Sequence, residues 1–242
     1  MCRHLAYVGS PIALGAVLSK PEHSLVDQAR GARYQSSGTK NPDGWGVGWF
    51  DDGATAQRHR SATPIWDDPA LRDLADGVVA SDVVAAVRLA SPGSPVEESG
   101  NAPFVADGRW FFSLNGVVDD YREGVGDELR ALVSERRRAE IEGESDAELL
   151  FALVLDCLDA GRRPPDALAD VVTTVEARTT GRLNLLLSER GATAATAVGN
   201  SLFRRGAGLV ASEPLDESPD WERLADRTVL TLDGSHVSEE SL

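Results

Sequence analysis

The sequence predicts an α+β protein, one domain over residues 1–242, with helices covering packed antiparallel sheets. Three observations predict it. Strand-like segments fill the first half, a block of helices follows, and strands return to the end. No linker, internal repeat or low-complexity block divides the 242 residues. Apolar residues make up 42% of the chain, enough to bury a substantial core.

The elements follow in order. "CRHLAYVG" is short, apolar and β-capable, and is expected to form a strand ending at Gly9-Ser10-Pro11. Residues 19–43 read as polar loop, apart from a short helix around Leu25–Arg30. "WGVGWF", then "DDG", then "ATAQRHR" predicts a hairpin turning at Asp51–Gly53. "VVAAVRLA" (83–90) is β-branched and continuous, as in a buried strand. "GNAPFVADGRWFFSLNG" (100–116) predicts a second hairpin turning at Asp107-Gly108. Helices are expected over 125–139, from "SDAE" to a stop at Gly161, and over 166–177. Ser145 and Glu148 have the spacing of a capping box. "RLNLLLSER", "ATAATAV", "SLFRR", "GLVASE" and "RTVLTLD" then read as strands separated by Gly-containing turns.

Composition narrows the function. With 24 Lys+Arg against 39 Asp+Glu the net charge is -15, a field that repels phosphate backbones and anionic lipid. Nucleic-acid and membrane roles are therefore disfavoured. There is no signal-peptide pattern and no apolar run of roughly 18 residues. The chain reads as soluble and cytoplasmic, and its oligomeric state is not legible. Two cysteines, Cys2 and Cys157, make no disulfide framework, and Cys157 in an apolar helix reads as a core thiol. Cys2 and His4 share a strand face without a second close Cys/His pair, so no metal is expected. G-x-S-x-G, P-loop and G-x-G-x-x-G motifs are absent, and no organic cofactor is expected.

Four features carry chemistry, and each has a plainer alternative. Removal of Met1 would leave Cys2 with a free α-amine of ordinary pKa about 7.7–8.0 beside a thiol of about 8.5, so nucleophile and base would share one residue. The alternative is a small apolar residue at a strand head. Asn115-Gly116 in "SLNGVVDDY" is a turn or an oxyanion hole. Arg88 closes an apolar strand, either as a local ion pair or as a bidentate carboxylate clamp. Asp146 in "ESDAELL" sits in a first helical turn, serving the helix dipole or accepting an ammonium group. Together the four describe a γ-glutamyl amide: an α-amino-acid head with an acyl group at its far end.

"MCRHLAYVG", "NPDGWGVGWF", "VRLASPG…NAPF", "LNG" and "SDAE" occur in the order found in class II glutamine amidotransferases, which the chain resembles. These are N-terminal-nucleophile hydrolases. "GLVASEPLDESPDWERLADRTVLTLDG" extends the likeness to the short, stand-alone members. The resemblance implies a four-layer αββα sandwich with a mature chain of residues 2–242. It implies Cys2 as nucleophile, Asn115 and Gly116 as oxyanion hole, Arg88 on the α-carboxylate and Asp146 on the α-ammonium. Ser91-Pro92 stand where many members have Thr-His, so Ser91 is carried as a substrate contact while Pro92 offers no N–H. Leu114 replaces a His before Asn-Gly, and Asn101-Ala102-Pro103 replaces Asn-x-His-Pro. For a cationic leaving half, an aromatic face or a carboxylate is expected to hold the charge. Trp45, in "DGWGVGW", and Trp66, beside Asp67 and Asp68, are the candidates; Trp49 and Trp110 are expected in the core. The expected partner is thus a small γ-glutamyl substrate. The alternatives are a glutaminase subunit that hands ammonia to a separate synthase, and a catalytically inactive binding module.

Overall fold

The structure is a computed structural model that describes residues 2–35, 38–51 and 54–242. Its strands are β1 (Arg3–Ala13), β2 (Trp45–Phe50), β3 (Ala56–Ser61), β4 (Val79–Val87), β5 (Phe104–Ala106), β6 (Trp110–Val118) and β7 (Gly181–Glu189). They continue with β8 (Ala192–Ala197), β9 (Phe203–Arg205), β10 (Leu209–Ala211), β11 (Trp221–Arg223), β12 (Thr228–Leu232) and β13 (Val237–Ser241). The helices are α1 (Gly15–Leu18), α2 (Leu25–Arg30), α3 (Ala70–Gly77), α4 (Val125–Leu132), α5 (Glu135–Arg138), α6 (Asp146–Asp159) and α7 (Pro164–Glu176).

Among the described residues the strands form two antiparallel sheets. One runs β11-β9-β10-β1-β4-β2-β3, and the other β13-β12-β8-β7-β6-β5. The period-two alternation of β1 shows how they stack. Leu5 joins Trp45, Val47, Val83, Ala85 and Val87 under α1, α2 and α3, while Ala6 and Val8 face the opposite way. There they meet Phe111, Leu186, Ala195 and Leu230 of the other sheet. That sheet's far face packs Phe112, Leu183, Leu185 and Leu187 against α6 and α7. The four layers are thus helix, sheet, sheet, helix, the αββα sandwich expected from the sequence.

Several expectations shift in detail. β1 runs past Gly9-Ser10-Pro11 to Ala13, and its register with β4 slips between Val8 and Ile12. Pro11 lies in that irregular stretch, where its missing N–H costs no ladder bond. β4 stops at Val87, one residue before Arg88, and begins at Val79, earlier than expected. The helix expected over 125–139 breaks into α4 and α5 at extended Val133, and Ser134, held by the Asp156 carboxylate, caps the second piece. α7 begins two residues early because Pro164 and Pro165 suit the first helical turn. Ser145 caps α6 by accepting from the Glu148 N–H. The capping box is not reciprocal, because the Glu148 carboxylate accepts instead from the Glu142 and Gly143 N–H groups. α2 matches its expected bounds. The turn expected at Asp51–Gly53 falls partly on residues 52 and 53, outside the described residues. α1, α3, β11 and the solvent-facing edge strand β13 are not among the elements expected from the sequence.

Candidate active site

The start of β1 and the end of β4 lie side by side because the two strands are antiparallel. Arg3 pairs with Val87, and Val87 also pairs with Trp45 at the start of β2. One further step of this register sets Cys2 opposite Arg88. The other sheet brings the end of β6 to the same edge of the sandwich, and the first turn of α6 covers it. A cavity of about 250 Å³ opens there, and Cys2, Trp45, Arg88, Ser91, Gly116 and Asp146 all line it.

Cys2 is half-buried and unbridged, as is Cys157, which packs at the edge of the helix-side core. Met1 lies outside the described residues. Gly116 cannot be any other residue: a Cβ there would sit 1.7 Å from the Arg182 carbonyl oxygen. Its sheet neighbour therefore reaches the backbone that a side chain would otherwise screen.

Asn115 is fully buried, just behind the wall formed by Leu114 and Gly116. Its Nδ2 donates to Ser212 Oγ at 3.1 Å, and its Oδ1 accepts from Arg3 Nη2 at 3.4 Å. Its main-chain carbonyl accepts from Asn200 Nδ2 at 2.9 Å. An amide nitrogen carries two hydrogens, so Ser212 engages only part of the donor capacity.

Arg88, half-buried, donates from Nη1 to the Pro95 carbonyl at 3.1 Å, and its guanidinium lies against Gly100. Asp146 Oδ2 accepts from the Val118 N–H at 3.0 Å, and Oδ1 from the Ala147 N–H at 2.9 Å. Burial raises the Asp146 carboxyl above its ordinary value, against the pull of these N–H groups and of the Arg88 charge. Tyr121 also lines the cavity; burial and the neighbouring Asp146 push its hydroxyl up to about 12.

Trp45 is fully buried, with Nε1 donating to Asp68 Oδ2 at 2.9 Å. Burial works against the Asp68 carboxylate, yet hydrogen bonds from Ser61, Ala70 and Trp45 hold it below its ordinary value. Trp66 is not among the residues lining the cavity. It packs on the outer side of the seven-stranded sheet, with the Arg30 guanidinium 5.8 Å over its ring. Its loop leads into α3 and carries it to that helical layer.

Three further residues belong to the neighbourhood. Asn101 is fully buried, donates to the Ser61 carbonyl at 2.9 Å and leaves its Oδ1 without a partner at the cavity wall. It packs so tightly on Gly44 that a Cβ there would lie 2.2 Å from Asn101 Nδ2. Gly44 also has φ +112, so both space and backbone require glycine. Arg3 and Glu213 form a fully buried ion pair directly behind Cys2. A charged residue inside the apolar run "CRHLAYVG" was the signal for that pair.

Comparison with known proteins shows the family of the chain. Residues 16–205 match the family described as glutamine amidotransferases class-II. The chain is 36% identical over 242 residues to a γ-glutamyl-hercynylcysteine sulfoxide hydrolase from Mycolicibacterium smegmatis, covering 98% of each chain. It is 35% identical over 246 residues to the protein of that name from Mycobacterium tuberculosis, covering 100% of this chain and 97% of that one. Among solved structures, a class II glutamine aminotransferase domain protein from Silicibacter pomeroyi superposes with a TM-score of 0.71 at 23% identity, over 99% of both chains. An allosteric regulatory enzyme of purine biosynthesis does so at 0.69 and 16% identity, over all of this chain and 49% of that one. By sequence over most of its length, and by fold, the chain belongs to the class II glutamine amidotransferases.

Proposed function

We propose that the chain hydrolyses a γ-glutamyl amide with Cys2 as nucleophile, once Met1 has been removed. The observation that carries this reading is the gathering of Cys2, Gly116, Arg88 and Asp146 on one cavity. Thiol, backbone donor, guanidinium and carboxylate are the groups that the two ends of a γ-glutamyl amide require. The full-length identity to two mycobacterial hydrolases supports γ-glutamyl-hercynylcysteine sulfoxide as the substrate. The products are glutamate and hercynylcysteine sulfoxide, a step of ergothioneine biosynthesis in the cytoplasm. The 242 residues act as one domain.

In the proposed reaction Arg88 holds the α-carboxylate as a fork and Asp146 holds the α-ammonium, with Ser91 at the same wall. The Cys2 amine, through a water, takes the thiol proton as sulfur attacks the γ-carbonyl. The oxyanion forms against Asn115 Nδ2 and the Gly116 N–H. The C–N bond breaks, the leaving amine takes the proton, and a γ-glutamyl thioester remains. Water, deprotonated by the same amine, attacks the thioester and releases glutamate, returning the proton to sulfur. The leaving half carries a permanent trimethylammonium group, and Trp45, a lining residue of the cavity fixed by Asp68, is the aromatic residue proposed to meet it.

Four outcomes test this reading. Cys2→Ala is expected to abolish turnover with an unchanged circular dichroism spectrum, and intact mass of the active protein should lack Met1; substantial hydrolysis by Cys2→Ala overturns the mechanism. Asn115→Ala is expected to lower kcat by about 10²–10³ with little change in KM, the loss typical of one oxyanion donor. A raised KM at constant kcat would make Asn115 a binding residue.

Asp146 must be ionised to hold the ammonium group, and its carboxyl is raised. The acid limb of kcat/KM is therefore expected at higher pH than an ordinary carboxylate gives, with activity falling as pH drops. Asp146→Asn should remove that limb along with most of kcat/KM, and Arg88→Lys should raise KM because a point charge cannot copy the fork. Kinetics like those of the parent in both variants would make both charges structural. Finally, Trp45→Ala is expected to raise KM for the trimethylated substrate by the equivalent of about 0.5–2 kcal/mol, while sparing an analogue without the methylated ammonium. Equal losses on both substrates would assign Trp45 to the core alone.

A further inference from the structure

We infer that Arg3 is a positioning residue for the oxyanion hole: its guanidinium fixes the Asn115 side-chain amide from behind and polarises it, with Glu213 anchoring the guanidinium. This inference rests on the proposed role of Asn115.

Arg3 and Glu213 are both fully buried. The guanidinium spends its donors on three oxygens at once. Nε donates to the Cys2 carbonyl at 2.7 Å, Nη1 to Glu213 Oε1 at 3.1 Å, and Nη2 to Asn115 Oδ1 at 3.4 Å. Glu213 is itself held from every side. Its Oε2 takes the Arg33 N–H at 2.8 Å and lies 2.8 Å from His23 Nε2, and its Oε1 takes the Tyr34 N–H at 2.9 Å. A carboxylate gripped by two backbone N–H groups and a histidine cannot follow a wandering arginine. The arginine is fixed to it instead.

The chemistry follows from what a guanidinium is able to do. It has donors and no acceptor, so the end of the Asn115 amide that faces it must be the oxygen. The nitrogen is thereby turned the other way, toward Ser212 Oγ. A flip of that amide would present an oxygen to the developing oxyanion and a nitrogen to the arginine, two repulsive contacts in place of two attractive ones. The cation also draws electron density through the fully buried amide, which strengthens its N–H groups as donors. A buried ion pair is weak evidence for stability, since apolar replacement is often neutral or better. Its placement one residue from the nucleophile and on the amide oxygen gives it a positional use. The contact with the Cys2 carbonyl makes the same guanidinium a ruler between nucleophile and oxyanion donor.

The test is a double-mutant cycle. Arg3→Lys keeps the charge beside Glu213, but a single ammonium cannot span the three oxygens. In the otherwise unchanged protein it is expected to lower kcat about tenfold with KM unchanged, a coupling of ordinary size for groups in contact. In an Asn115→Ala background it is expected to lower kcat less than twofold, because the amide it orients is gone. Equal losses in both backgrounds would overturn the inference while leaving the oxyanion hole standing. If Asn115→Ala alone leaves kcat unchanged, the oxyanion assignment fails, and this inference with it. Should Arg3→Lys not fold, as judged by its thermal transition, Glu213→Gln takes its place in the cycle. Its single oxygen can replace Oε1 for Arg3 and the Tyr34 N–H, while the amide nitrogen at the Oε2 position loses the Arg33 N–H and the charge that anchors the guanidinium is gone; the kcat loss is again expected only where Asn115 is present.

Discussion

The head of the chain is clamped between two strands. β1 is hydrogen-bonded to β10 on one side and to β4 on the other, well inside the seven-stranded sheet. Chain termini ordinarily fray because few contacts hold them. Here Leu5 is buried on one face of the strand and Ala6 on the other, so the segment after Cys2 has no freedom left to lose. Everything at the candidate site is measured from that fixed point. The β1–β4 register brings Arg88 beside Cys2, and the stacking of the second sheet brings Gly116 over both.

The site uses opposite charges in a molecule that is acidic overall. Arg3 is matched by Glu213 behind the cavity, and the Arg88 charge acts on Asp146 across it. A comparable device holds the helical layer. The buried Arg137 guanidinium reaches Asp107 in the β5–β6 turn, Glu140, and Asp159 at the end of α6. Hydrogen bonds that the guanidinium donates to Asp107 and then to Asp159 raise the arginine above its ordinary value, outweighing burial. The cation is thus satisfied by carboxylates that together tie a hairpin turn, a short helix and a long helix.

The sequence made the architecture legible where burial leaves a periodic trace. β6, β7 and α6 emerged from apolar runs bounded by Gly, Ser and Pro signals, and α2 from a short helix-like piece of a polar stretch. Elements whose residues carry no such trace escaped: β13 is exposed throughout, and α1 is a single turn. At the site, Cys2, Arg88, Gly116 and Asp146 could be singled out because each breaks its local pattern, and the structure brings them to one cavity. Trp66 could not be separated from Trp45 by composition; both pack in the core outside the seven-stranded sheet, and only Trp45 also reaches the cavity wall. Glu213 was illegible for the opposite reason. It lies in the polar stretch "ASEPLDESP", and nothing local shows that it is buried beside a residue 210 positions away.

The exposed strand β13 closes the six-stranded sheet at one edge, with only β12 as its neighbour among the described residues. An unpaired edge is a template for another strand, and charge is one of the means by which proteins discourage that pairing. Here the sequence Val-Ser-Glu-Glu-Ser supplies it: Glu239 is engaged by Arg204, and Glu240 adds a second negative charge. The protection is borrowed from ionisation, so it lasts only while the carboxylates are ionised. As the medium approaches the isoelectric point near 4.6, the net charge that keeps molecules apart vanishes. Acidification that removes this net charge leaves the β13 edge as a seam at which molecules can meet.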